Sequence, residues 1–224
     1  MPEFEQLTVG DSIARAFVRI PDGARSGVVV LHPWWGLNDD VIAYADRLAD
    51  GGHAVIAPDM FRGQVVTEIA DADRLASESD DSLAEAVSLA ATDLLAERLG
   101  PGARLATLGF SFGAAYALWA PSQRPRLLAT VVYYGTMTGP SLARSRAPLL
   151  GHFAETDEFE PAENVKALED GFREAGREAE VHTYPGTGHW FAEPSRDAYR
   201  PEAAELAFER TLSFLTEHLA AAPA

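Results

Sequence analysis

Gly109-Phe110-Ser111-Phe112-Gly113 constrains this chain more than any other segment. The pentapeptide reads G-x-S-x-G. The apolar run Leu105-Ala106-Thr107-Leu108 precedes it, and the alanine-rich, helix-forming stretch Ala114-Ala115-Tyr116-Ala117-Leu118-Trp119-Ala120 follows. A serine between a strand and a helix, flanked two residues away on each side by glycine, suits a sharp turn with little room for Cβ atoms. Such a turn holds the hydroxyl above a sheet edge. Taken alone, the motif is equally compatible with a glycine-flanked turn carrying an idle serine.

A serine hydroxyl needs a neighbouring base to act as a nucleophile, and a histidine base needs a carboxylate to fix its tautomer. Both partners occur downstream in the order Ser, acid, His. The strand-like Pro148-Leu149-Leu150-Gly151-His152-Phe153 runs into an acidic turn holding Asp157. The alternating Glu180-Val181-His182-Thr183-Tyr184 runs into a glycine-rich loop holding His189. Each candidate thus falls just past a strand end, where rigid sheets position reactive groups on loops. Other acids and histidines have plainer readings. Glu155 and Glu158 are alternative acids or solvated loop carboxylates, and Glu160 suits a helix start. His152 reads as a packed core residue, His182 as facing solvent or a neighbouring strand, and His53 as the start of a strand. His218 complements a helix C-terminus. No two histidines have zinc-site spacing and cysteine is absent, so no metal site is expected.

A second element of chemistry lies in His32-Pro33-Trp34-Trp35-Gly36-Leu37-Asn38, between a buried strand and a helix beginning near Asp39. A tetrahedral oxyanion needs two backbone N–H donors. Phe112, next to the serine, offers one, and this early loop is placed to offer the other. Trp34 and Trp35 are candidate walls of an acyl pocket, or else core residues. Asn38 reads as a helix cap, with Asp39 as the alternative.

Strand-like runs at 14–20, 27–31, 54–57, 105–108, 128–134, 148–153 and 180–184 alternate with helical patterns such as 82–99, 162–175 and 203–219. This alternation predicts an α/β fold: a mostly parallel central sheet with helices on both faces. The 224 residues suit a single domain spanning 1–224, with no linker and no internal repeat. The segments before residue 27 are expected to form an antiparallel edge hairpin across Pro21-Asp22-Gly23, and 220–224 a frayed tail. Residues 61–80 carry no assignable element and are expected to cover the mouth of the site.

Eighteen basic residues against 34 acidic ones give a net charge of −16. That argues against nucleic acid and disfavours strongly anionic substrates. There is no long apolar span or basic leader, so no membrane partner and a cytoplasmic setting are expected. The expected oligomeric state is a monomer or weak homodimer, and no cofactor is expected.

These residues resemble the dienelactone hydrolase family of the α/β-hydrolase superfamily, from about Ser26 to Leu219. The likeness rests on the 32–38 loop, Ala57-Pro58-Asp59-Met60-Phe61, the G-x-S-x-G segment, Thr156-Asp157, Gly188-His189-Trp190-Phe191 and the 199–214 stretch. The resemblance implies an α/β-hydrolase fold without a large lid domain. It also implies Asp157 and His189 as partners of Ser111, and the Trp34 and Phe112 N–H groups as oxyanion donors. Three departures stand out. The family's usual nucleophile is cysteine, where this chain has Ser111. A glutamate that often faces the resting thiol is replaced by Pro33. An arginine that holds the substrate carboxylate is replaced by Glu193, which would repel a carboxylate if it pointed inward; Arg74 lies near the region of another such arginine. The expectation is a serine hydrolase of small esters or lactones, with Trp34, Trp35, Tyr134, Trp190 and Phe191 as pocket walls. Acyl transfer to another acceptor, or ligand binding without turnover, are the alternatives. An aspartate-type dehalogenase does not fit the serine.

Overall fold

The computed structural model describes residues 4–220. Eight strands form one sheet in the order β1-β2-β4-β3-β5-β6-β7-β8: β1 (Phe4–Val9), β2 (Ser12–Arg19), β3 (Ser26–Leu31), β4 (Ala54–Pro58), β5 (Arg104–Phe110), β6 (Leu127–Tyr133), β7 (Leu149–Ala154) and β8 (Ala179–Tyr184). From β4 to β8 every pairing is parallel; β1 with β2 and β2 with β4 are antiparallel. The helices are α1 (Asp39–Asp50), α2 (Ile69–Ser77), α3 (Asp81–Leu99), α4 (Phe112–Trp119), α5 (Pro140–Arg144), α6 (Ala162–Glu174) and α7 (Pro201–His218).

Parallel strands covered on both faces need apolar side chains at successive positions, and Gly27-Val28-Val29-Val30-Leu31 supplies them. Alternate residues go to opposite faces. Val28 and Val30 pack with Tyr44, Phe208, Phe214 and Leu215 of α1 and α7. Val29 and Leu31 pack with Val87, Ala91 and Leu95 of α3 and with Ala117 of α4. A third cluster joins α4, α5 and α6 over β6 and β7 through Leu118, Leu142, Leu168 and Phe172. The sheet is therefore sandwiched between α1 and α7 on one face and α3 to α6 on the other. Among the described residues no helix is long and apolar enough to cross a membrane.

The edge hairpin departs from expectation. It turns at Gly10-Asp11, where Val9 pairs with Ser12 and Gly10 takes φ +56°. Two-residue loops need such positive φ, which glycine supplies. Pro21-Asp22-Gly23 instead forms a turn, closed by the Ala24 N–H on the Pro21 carbonyl, that carries the chain past β4 into β3. Asn38 does cap α1, its Oδ1 accepting from the Val41 N–H at 3.1 Å. Residues 61–80 contain α2, anchored by Ala72 and Leu75. The stretch before α2 lies on the 34–36 turn, with the Val66 N–H donating to the Trp35 carbonyl at 3.0 Å. Of the expected tail, 221–224 lie outside the described residues.

Candidate active site

Ser111 sits between β5 and α4 at φ +46°, ψ −112°. A non-glycine residue held there stores roughly 1–3 kcal/mol of strain. Its surroundings over-determine it. The Ser111 N–H donates to the Tyr133 carbonyl, and its own carbonyl accepts from the Ala114 N–H, both at 2.9 Å. The two flanking glycines allow the close approach. A Cβ at Gly109 would fall on the Gly113 carbonyl, and a Cβ at Gly113 on the carbonyls of Leu31 and His32. The start of α4 is thus pressed against the end of β3.

The loops after β7 and β8 bring Asp157 and His189 to this serine. Ser111 Oγ lies 2.9 Å from His189 Nε2. His189 Nδ1 lies 2.7 Å from Asp157 Oδ2 and 2.9 Å from Oδ1. An ionised carboxylate only accepts, so the Nδ1 proton points to Asp157 and the Nε2 lone pair faces the serine hydroxyl. The His189 and Asp157 side chains are 5% and 4% exposed. Asp157 Oδ1 also accepts the N–H groups of Phe159 and Glu160 at 2.9 Å each, which fixes the orientation of the carboxylate. Thr187 ties the two loops together. Its carbonyl accepts from the Thr156 N–H at 3.2 Å, and its Oγ1 from the Glu155 N–H at 3.3 Å. Such an array can accept the serine proton and stabilise the resulting imidazolium.

Trp34 occupies the second position of a turn closed by the Gly36 N–H on the Pro33 carbonyl at 3.1 Å. Among the described residues its own N–H makes no turn or loop bond. Phe112 opens α4, where N–H groups lack an intrahelical acceptor. The two expected donors lie on segments in contact across Gly113.

The aromatic residues divide. Trp34 and Trp190 are partly exposed and stack at 6.1 Å, and Trp190 lies 5.1 Å from the His189 ring. Phe159, which the sequence reading overlooked, belongs with them. It is 39% exposed and lies 5.1 Å from His189, 5.5 Å from Trp34 and 4.9 Å from Trp190. Its position two residues after Asp157 was the available signal. Trp35, Tyr134 and Phe191, expected as pocket walls, are at most 1% exposed. They back the site instead. Arg196 covers one ring of Trp35 at 4.0 Å, and Tyr134 supports His189 at 4.9 Å.

Glu193 does not stand at the mouth. It is 2% exposed, and its Oε1 accepts from the Tyr134 hydroxyl at 2.9 Å. Burial, reinforced by the Asp40 charge, pushes its carboxyl up to about 8, against the pull of Tyr134 and Arg196. Arg74 pairs with Asp71 and Glu78 on the exposed side of α2. Glu160 accepts from both the N–H and hydroxyl of Thr136, tying the loop after β6 to that after β7 rather than only starting a helix. His152 is a core residue as expected. Tyr184 Oη lies 2.7 Å from its Nδ1 and Thr211 Oγ1 lies 3.0 Å from its Nε2. Burial foremost, then the charges of His182 and Arg210, holds His152 well below the ordinary range. Among the described residues no three His, Cys, Asp or Glu side chains form a metal-binding group.

A serine on a strand–helix turn, with its partners on later strand ends of a mostly parallel sheet, defines an α/β-hydrolase fold. The chain belongs to the dienelactone hydrolase family, whose model matches residues 14–219. With the family comes the enzyme class, a carboxylic ester or lactone hydrolase. "Protein usf" of Aquifex pyrophilus is 28% identical over 98% of each chain. A protein of Aquifex aeolicus (strain VF5) that carries a provisional carboxymethylenebutenolidase name is 27% identical, also over 98% of each. Among solved structures, a dienelactone hydrolase-like promiscuous phosphotriesterase from metagenomic libraries superposes with a TM-score of 0.86. It is 25% identical, covering 97% of this chain and 98% of that one.

Proposed function

We propose that this enzyme cleaves small, uncharged carboxylic esters or lactones through an acyl-enzyme on Ser111. The observation that carries the reading is the unbroken chain of hydrogen bonds from Ser111 Oγ through His189 to Asp157. Ser111 Oγ attacks the carbonyl carbon as its proton passes to His189 Nε2, and Asp157 stabilises the imidazolium. The N–H groups of Trp34 and Phe112 receive the oxyanion. Collapse breaks the C–O bond, and His189 returns the proton to the leaving alkoxide. Water then repeats the sequence at the acyl carbon, releasing the acid and restoring Ser111.

The uncharged substrate follows from the surroundings. The exposed surface beside His189 is aromatic, from Trp34, Phe159 and Trp190. The formal charges on the adjoining loops include the carboxylates Asp157 and Glu160, and Arg196 is engaged with Trp35 and the Thr67 carbonyl. A substrate carboxylate would meet repulsion without a cationic partner.

Intact-mass labelling with a fluorophosphonate probe tests the reading. One adduct on the native protein, absent from Ser111→Ala and from heat-denatured protein, is expected. Native protein that takes no adduct and turns over no ester would overturn it.

A further inference from the structure

His32 is completely buried at the end of β3, yet it plays no part in the hydrogen-bonded chain of Ser111, His189 and Asp157. Both its ring nitrogens are used. The Met60 backbone N–H, which can only donate, points at Nε2 from 3.0 Å. Nε2 must therefore carry a lone pair, and the neutral ring keeps its proton on Nδ1. That proton points to the Pro33 carbonyl oxygen at 2.7 Å. Burial pushes the imidazole below its ordinary range, against the pull of the Pro33 carbonyl and the Asp59 charge, so the ring stays in this neutral form.

The Pro33 carbonyl belongs to the same peptide unit as the Trp34 N–H. In a planar trans unit the two point in opposite directions. Fixing one fixes the other. Two donors hold the carbonyl: His32 Nδ1 and the Gly36 N–H, the latter at 3.1 Å. Bonds to a carbonyl also polarise its amide and strengthen the N–H as a donor. Phe61 also links the ring to the side chain of Phe112. It packs edge-on to His32 at 4.9 Å and lies 5.1 Å from the ring of Phe112.

From this arrangement we infer that His32 is a positioning residue that aims the Trp34 N–H at the developing oxyanion. The inference rests on the hydrolase reading given above. Its rival is a purely structural role, in which His32 only ties the loop after β4 to β3 through Met60.

The two bonds can be separated by substitution. His32→Asn keeps an amide N–H near the Nδ1 position, within reach of the Pro33 carbonyl, and gives up Met60. His32→Gln keeps an acceptor near the Nε2 position for Met60 and leaves the Pro33 carbonyl without that donor. Removing a whole oxyanion donor costs about 10²–10³ in rate. Misaiming one is expected to cost about tenfold to a hundredfold. The expected result is that His32→Gln loses this much in kcat/KM for 4-nitrophenyl acetate and in the rate of fluorophosphonate labelling. His32→Asn should keep both within about threefold, even where its Tm falls further. Full activity in His32→Gln, or losses that simply follow Tm in both variants, would overturn the inference while leaving the hydrolase reading intact. A wild-type protein with neither turnover nor labelling would sink both. The wild-type ring supplies a check independent of variant folding. Nitrogen-15 NMR should show His32 protonated at Nδ1 only, and a proton on Nε2 would refute the geometry.

Discussion

Replacing Glu193 by glutamine should stabilise this protein at neutral pH, although it removes a native side chain. Glu193 keeps its proton in the fold up to about pH 8, whereas the ordinary value for the group is 4.5. Between those values the folded state holds a proton that the unfolded chain has released. Stability therefore falls as pH rises through this window, and the loss is complete above the folded value. Each pH unit is worth 1.36 kcal/mol, so holding the proton at pH 7 costs the fold about 3 kcal/mol. Glutamine has the shape of the protonated acid, and its Oε1 can still accept from Tyr134. Its amide nitrogen adds one donor beside a cavity of about 10 Å³ lined by Asp40, Val41, Tyr44, Phe110 and Ala192. An unpaired donor there returns roughly 1 kcal/mol of the gain. The net expectation is a stabilisation of about 2 kcal/mol at pH 7. It should grow by about 1 kcal/mol by pH 8 and reach zero at about pH 5, below which the extra donor leaves the variant slightly less stable. Asp40, Arg196 and Tyr134 are the charged and titratable groups acting on this site, and all remain in the variant. Urea unfolding of both proteins from pH 4.5 to 8, followed by tryptophan fluorescence, measures the difference. Parallel pH profiles, or a variant less stable at pH 8, would refute the reasoning.

The remaining expectations concern the elbow, the triad and the core. Ser111→Ala and His189→Ala should each lower kcat/KM for 4-nitrophenyl acetate by several orders of magnitude in protein that is still folded by circular dichroism. Near-normal turnover in either would remove the mechanism. Gly113→Ala drives a methyl group into the Leu31 and His32 carbonyls, so circular dichroism should show a protein destabilised by several kcal/mol or unfolded. Burial keeps His152 unprotonated in the fold, where its ring nitrogens meet the Tyr184 and Thr211 hydroxyls. The unfolded chain does take one, so stability should fall as pH drops below about 6.5, by about 1.4 kcal/mol per pH unit. Measured in the Glu193→Gln background, the profile of His152→Asn should be shallower by that amount, with the contribution of buried His32 remaining.

The segments most legible in the sequence are those where local chemistry and global fold agree. Seven strands stood out as strand-like runs, the central ones wholly apolar because a sheet buried on both faces demands it, and Asn38 announced α1 because its side chain caps a helix start. Ser111, Asp157 and His189 were legible because each follows a strand, and parallel topology delivers all those ends to one rim. Topology itself was less visible. Nothing local distinguishes a hairpin at Gly10-Asp11 from one at Pro21-Asp22-Gly23; β4 settles it by taking the place beside β2. The helix at Ile69–Ser77 has only two buried anchors, Ala72 and Leu75, too few to show a periodicity. Side-chain direction was the other gap. Glu193 and Trp35 sit within a few residues of the site in sequence and Tyr134 directly follows β6, yet the backbone turns their side chains into the core, and position along the chain carries no sign of that.

The site is shared unequally between the interior and the margin of the sheet. Ser111 follows β5, which has a neighbour on each side, whereas His189 hangs from β8, the outermost strand, most of whose residues are only partly covered. Edge elements with little buried surface open at free energies well below that of global unfolding. Peeling β8 away would withdraw the base and leave the strained serine elbow intact. On the proposed mechanism, activity is expected to be lost with the local opening of this outer strand, so that heat or denaturant silences the enzyme while most of the molecule is still folded.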